Sequence, residues 1–398
     1  MSLPILSRRL AVLAIVLLPF CAQAKTPAHS FAMFVAKLWP DAQSKGVTRA
    51  SFDLAMQGVT PDPRVVAATK HQPEYGRPFG VYVNDIASRD RITRGKRKAK
   101  QWAKTLAAVQ KKFDVPSWIL VALWGIESDY GAEKDRWDVF RSLATLAYVG
   151  YRDPYFRDEL LNAMRMMQDD RIARRRMVSS WAGAMGQTQF MPSNFLDYAI
   201  DFSGHGRPDI WTNVPDILAS TANYLHKEHW QPGLPWGFEA TVPHGFDYMH
   251  SHDSFAGWRK LGVRRADGRP FPRDGNGVLF FPAGYKGPAF IVTANFDVLK
   301  EYNNSDAYAV AVGHLADRMR GGAPIEAKWP ADDHQLSRGA RIALQEKLAA
   351  LGYKVNDFEG HIDFDLRDNI RAEQKKFGIV PDGNPTKQLL EKLGVTAP

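Results

Sequence analysis

The chain has 398 residues, 45% of them hydrophobic, 12% aromatic and 24% charged, with a formal net charge of +9. That length fits two or three folding units, and the apolar content excludes a disordered chain. Residues 1–24 read as a secretory signal. Arg8 and Arg9 precede an apolar run over residues 10–20, and Ala22-Gln23-Ala24 supplies a small-residue cleavage pattern. The run is short for a membrane span. Lipid attachment at Cys21 is the weaker alternative, because such a cysteine needs small residues before it and Pro19-Phe20 supplies none. Cleavage near Ala24 removes the only cysteine, and with it any disulfide or thiol chemistry. It also removes two arginines and no acids, so the net charge falls from +9 to +7. The expected product is an exported basic chain with no integral membrane segment. Such a chain suits an acidic polymer or a membrane surface, and export makes nucleic acid a poor partner.

From residue 31 to about 320 helical spacing dominates. Segments 95–113, 116–130, 155–169 and 214–229 carry apolar residues three and four apart. Residues 231–290 are rich in Pro, Gly and aromatics, with strand patterns at 277–282 and 288–293. They predict a loop-rich excursion with a small sheet, followed by a helix over 306–319. Gly321-Gly322-Ala-Pro324 opens a connecting stretch. Beyond it, helical patterns at 339–351, 364–377 and 385–393, with Asp382-Gly383 as a turn, predict a compact three-helix module. The domain plan is a signal over 1–24, a main domain over 25–322, a linker over 323–336 and an accessory module over 337–396. The fold class is mainly α with a small β excursion.

Two segments carry chemistry. Pro116 sits like a first-turn proline and Gly131 like a helix stop. Between them a strongly apolar stretch holds Glu127, with Leu123 and Trp124 on its face. Apolar surroundings and the helix dipole in the last turn both favour the neutral acid. That is what a general acid for glycosidic cleavage requires. A solvent-facing glutamate where the helix leaves the core fits the spacing equally well. The second segment runs from Ser179 to Ser193. Its Ala182, Gly183, Ala184 and Gly186 permit close backbone approach. Gln187 and Gln189 offer amides suited to sugar hydroxyl and acetamido groups. A glycine-rich loop ahead of a helix near Pro192 is the plain alternative.

The runs Glu127-Ser-Asp-Tyr-Gly131, Gly183-Ala-Met-Gly-Gln-Thr-Gln-Phe-Met-Pro192 and Tyr302-Asn303-Asn-Ser-Asp-Ala-Tyr308 closely resemble the B-type lytic murein transglycosylases. Gln72-Pro73-Glu74 and Ala219-Ser-Thr-Ala-Asn-Tyr224-Leu fit the same family, so the resemblance covers roughly residues 30 to 320. The tail resembles the small peptidoglycan-binding three-helix domain through Leu344-Gln345, Leu348 and Leu351-Gly352-Tyr353. Glu359-Gly360 stands where that family often has Asp-Gly. The resemblance implies a lysozyme-like helical catalytic domain, a periplasmic location and peptidoglycan glycan strands as substrate. Their lactyl-peptide carboxylates suit the basic chain. Other cell-wall enzymes are a further class of partner. The implied reaction cuts the bond between N-acetylmuramic acid and N-acetylglucosamine without water. Glu127 protonates the leaving oxygen and then, as a base, takes the proton of the muramoyl C6 hydroxyl, closing a 1,6-anhydro ring. Hydrolases of either stereochemistry normally need a second carboxylate.

By the same resemblance, Ser180, Gln189 and Asn303 contact the muramoyl sugar, and Tyr82, Tyr224, Tyr302 and Tyr308 line the cleft. Each tyrosine fits ordinary core with a satisfied hydroxyl as well. Arg152 is a candidate for the peptide-stem carboxylate, although a plain surface arginine fits equally. The stretch from Asp201 to Trp211 resembles an EF-hand-like loop of some relatives. Asp201, Ser203 and Asp209 suit calcium, but His205 and Thr212 occupy positions 5 and 12 of the loop. A metal-free turn and no cofactor are expected. His226 and His229 lack a third partner for zinc. The competing readings are a lysozyme-type hydrolase and a catalytically silent wall-binding protein.

Overall fold

A computed structural model describes residues 30–69, 77–134, 136–170 and 172–395. The signal segment, including Cys21, and Gln72-Pro73-Glu74 lie outside the described residues. Amphipathic spacing produces seventeen α-helices among the described residues. Two span the predicted bounds, Tyr155–Asp169 and Asp306–Met319. Segment 95–113 is instead two helices, Arg89–Gln101 and Ala103–Phe113. They break at Trp102, whose backbone leaves the helical region (φ −106°, ψ 20°) while its ring packs against the core.

The most apolar helix, Ser117–Ser128, runs through the centre, with every residue from Ile119 to Gly125 buried. It packs against Asp306–Met319, Arg89–Gln101 and Val214–Lys227. Each fully buried Leu, Val or Ile contributes about 1.5–3 kcal/mol, so this helix is a fixed axis for whatever it carries.

The β excursion is a five-stranded antiparallel sheet. Its spatial order is His252–Ser254, Asn276–Phe280, Ala289–Val292, Gly237–Thr241 and Arg264–Arg265. The central strand is buried on both faces. One face joins the helical core through Phe280, Phe290 and Val292; the other closes a separate cluster around Phe255, Trp258 and Phe271.

The C-terminal helices are Arg338–Ala350, Phe364–Lys376 and Lys387–Leu393, capped by Ser337, Asp363 and Thr386. They close their own small core around Leu344, Leu348, Ile370 and Leu389. The stretch predicted as a linker is not a free tether. Trp329 stacks on Phe79 with ring centroids 5.5 Å apart, and the buried Asp333 accepts the Phe79 N–H at 2.6 Å. Gly80 makes this possible, since a Cβ there would lie 2.2 Å from the Trp329 ring. The module itself seats Phe364 against Phe280 and Phe296 of the main domain. Its buried Arg371 donates to the Leu279 carbonyl at 3.0 Å.

Candidate active site

The central helix delivers Glu127 as its penultimate residue, half-buried beyond seven buried ones. The helix ends at Ser128, three residues before Gly131. Asp129 (φ 51°), Tyr130 (φ 60°) and Gly131 (φ 80°) are successively left-handed, a costly run for two non-glycines. Side chains hold it in place: Asp129 pairs with Arg94, and the Tyr130 hydroxyl donates to the Arg91 carbonyl at 2.9 Å. Asp129 is thereby committed to an arginine rather than offered as a second acid. Gly131 is required for another reason, because a Cβ there would sit 2.4 Å from Gln187 Oε1.

Tyr308, on the helix Asp306–Met319, donates its hydroxyl to Glu127 Oε1. Burial pushes the Tyr308 and Tyr302 hydroxyls well above the usual tyrosine value, and the Glu127 charge pushes them further. Both remain protonated donors.

The opposite wall is the loop after Val178–Ser179, a strand that pairs antiparallel with Trp137–Asp138. Further bridges join Ser179 to Met185 and Met185 to Phe190, folding the loop back on itself. Ser180 fixes the turn: its N–H donates to the Ala184 carbonyl at 2.7 Å and its Oγ accepts the Ala184 N–H at 3.2 Å. Gly186 (φ 64°) lies so close to the next segment that a Cβ would meet the Ile210 carbonyl oxygen at 2.6 Å. Gln189 is itself left-handed (φ 51°), and its Nε2 donates to the Gly186 carbonyl at 2.8 Å. Between the helix end and this loop lies a cavity of about 200 Å³ lined by Glu127, Ser180, Gln189, Trp137, Trp181 and Glu133, among others.

Several residues fall elsewhere. Gln187, chemically the twin of Gln189, accepts from Trp124 Nε1 at 2.6 Å and donates to the Trp211 carbonyl at 2.7 Å. It ties the loop to the acid helix and does not line the cavity. Tyr224 is buried and donates to the Glu301 carbonyl at 2.6 Å. Its ring centroid is 4.9 Å from that of Tyr302, whose hydroxyl donates to the Thr188 carbonyl at 2.7 Å. These two tyrosines brace the loop from beneath. Asn303 is half-buried and ends the helix Ala294–Tyr302. Tyr82 lies in a separate crevice with Arg77, Asp306 and Arg367. Arg152 is exposed and pairs with Glu359 of the C-terminal module at 3.2 Å. The sequence reading overlooked Glu133, an exposed carboxylate that also lines this cavity. No periodicity marks it, because it sits in a turn.

The loop from Asp201 to Thr212 turns its carboxylates onto its own backbone. Asp201 accepts the N–H groups of His205 and Gly206, and Asp209 those of Trp211 and Thr212. Asp216 accepts from Phe202, Ser203 and Asp209. Ser203 Oγ meets His205 Nδ1 at 2.8 Å, and Arg176 also pairs with Asp209. These oxygens are engaged with donors from the protein itself.

A single half-buried acid at the end of an apolar helix, facing a polar glycine-rich wall in a helical fold, defines a lysozyme-like glycan-cleaving architecture. Residues 30–317 match the family described as Transglycosylase SLT domain, and residues 337–393 match Putative peptidoglycan binding domain. The chain belongs to the transglycosylase SLT domain family and carries a C-terminal peptidoglycan-binding domain. It is 42% identical to SltB3 from Pseudomonas aeruginosa, whose crystal structure is in complex with NAG-NAM-pentapeptide. That match covers 92% of this chain and 100% of the other, with a TM-score of 0.83. Soluble lytic transglycosylase SltB1 from the same organism is 29% identical over 73% of this chain and 99% of its own, with a TM-score of 0.62. The membrane-bound lytic murein transglycosylase B of Escherichia coli (strain K12) is 30% identical over 229 residues, 55% of this chain and 61% of that protein. The chain therefore spans less than two thirds of that curated relative.

Proposed function

We propose that this chain cleaves the MurNAc-β-1,4-GlcNAc bond of peptidoglycan without water, leaving 1,6-anhydro-MurNAc ends. The observation that carries the reading is Glu127, half-buried, hydrogen-bonded by Tyr308 and facing the Ser180–Gln189 wall across a cavity. As an acid it protonates the glycosidic oxygen. As the resulting carboxylate, steadied by the Tyr308 hydroxyl, it removes the C6 hydroxyl proton that closes the ring. Ser180 and Gln189 contact the muramoyl sugar from the loop, Asn303 approaches from the end of the helix Ala294–Tyr302, and Tyr302 holds the loop in place through the Thr188 carbonyl. A basic chain that binds an anionic wall polymer matches the net charge of +9. Export to the periplasm accords with the N-terminal signal pattern. Among the described residues no helix is long and apolar enough to cross a membrane.

Glu133 gives the hydrolase reading a specific second carboxylate. It is exposed, with Lys134 and Arg136 in the same cavity lining, and lacks the half-buried setting of Glu127. Mass spectrometry of muropeptides released from purified sacculi separates the two. Anhydro-muramoyl ends are expected, with Glu127→Gln lowering release by at least about a thousandfold and Glu133→Gln retaining the same product, on the scale of general acid–base effects. Hydrated reducing ends from the wild type would overturn the proposal.

A further inference from the structure

Two groups from the linker and the C-terminal module touch the catalytic domain at the first turns of two helices, and these helices carry Tyr308 and Tyr82. The first group is Arg367. Its Nη2 meets Asp306 Oδ2 at 2.6 Å, and Lys300 meets the other oxygen at 2.9 Å. Asp306 opens the helix that bears Tyr308 two residues later. All three charges are largely out of water, and Arg367 also donates to the Gly383 carbonyl at 3.0 Å and lies 4.7 Å over the Phe280 ring. Burial would raise the Asp306 carboxyl, but Lys300 and Arg367 prevail and hold it at about 2. Buried charges are tolerated only when fully partnered, so removing Arg367 leaves a group that must move or find water.

The second group is Asp333. The helix Phe79–Ile86 begins after Pro78, which gives it no side-chain cap. Asp333, 254 residues away, accepts the orphan Phe79 N–H instead. Tyr82 follows three residues later, on a helix that packs directly against the Tyr308 helix Asp306–Met319.

We propose that the C-terminal module and its linker position the catalytic acid, with Arg367 and Asp333 as positioning residues that fix the first turns of the Tyr308 and Tyr82 helices. The inference rests on the assignment of Glu127 as the acid. The module is then a structural part of the active site as well as a wall-binding element. A misplacement of about 1 Å at the acid costs on the order of a hundredfold in rate, so loosening one first turn is enough to be measured.

The test uses the full chain and a short soluble glycan-peptide substrate, for which anchoring to the wall gives no advantage. Arg367→Met is expected to lower kcat about ten- to a hundredfold with KM changed by less than about threefold. Arg367→Lys, which keeps the charge on Asp306, restores most of the loss. Ser251→Ala removes the hydrogen bond to Asp368, a docking contact away from Asp306 (2.8 Å), and is expected to leave kcat within about twofold. Should Arg367→Met fail to fold, Asp333→Ala decides, with an expected kcat loss of about threefold or more. Wild-type kcat in a folded Arg367→Met or Asp333→Ala protein would overturn the proposal, as would a loss confined to KM or to sacculus binding. Failure of the underlying reading looks different: the wild type makes no anhydro ends, or Glu127→Gln stays active.

Discussion

Replacing Tyr308 by Phe isolates one interaction at the acid. The side chain is 2% exposed, and the substitution removes only the oxygen that donates to Glu127. Volume and ring packing are nearly conserved, so the fold should hold. A hydrogen bond to a charged group is worth about 1.5–3 kcal/mol. The donor favours the ionised form of Glu127, so its loss favours the neutral carboxyl. Because the first step needs the protonated acid, the alkaline limb of the pH–kcat profile should move to higher pH. The base step loses the hydroxyl that steadies the carboxylate, and kcat at the optimum should fall about ten- to a hundredfold. The assay is initial-rate release of anhydro ends from a soluble glycan between pH 4 and 9. A Tyr308→Phe enzyme with wild-type kcat and an unshifted profile would refute the claim that this hydroxyl serves the acid.

Gly186→Ala places a Cβ 2.6 Å from a backbone oxygen at a left-handed residue (φ 64°), so it should cost about 2–4 kcal/mol. Thermal unfolding reads the loss, and an unchanged melting temperature would contradict the close approach. His314 is buried, and burial, aided by Arg318, pushes its imidazole down to about 4 from 6.5. The unfolded chain takes up that proton as pH falls below 6.5 while the folded chain resists until about 4. Stability from this group is therefore complete above 6.5 and declines through that window, by up to about 1.4 kcal/mol per pH unit. His314→Leu should flatten the slope of denaturant stability against pH between 6 and 4.5; an identical slope would exclude His314 as its source.

The sequence by itself determined the helical fold class, the short strands and the apolar helix that carries Glu127 in its last turn, because hydrophobic periodicity and local breakers act over a few residues. It also marked the glycine-rich segment as a place where backbone comes close to something. What it left open was which polar group faces what. Gln187 and Gln189 are the same residue type two positions apart, yet one locks to Trp124 and Trp211 while the other lines the cavity with Glu127. Tyr224 and Tyr308 look alike in sequence. Only the fold sends one hydroxyl to a main-chain carbonyl and the other to the acid. Arg152 reads as a lone surface cation until a chain segment 207 residues away brings Glu359 beside it. Local pattern has no access to such distances. Tertiary structure decided them, because a buried polar group must find its partner wherever the packed chain places one.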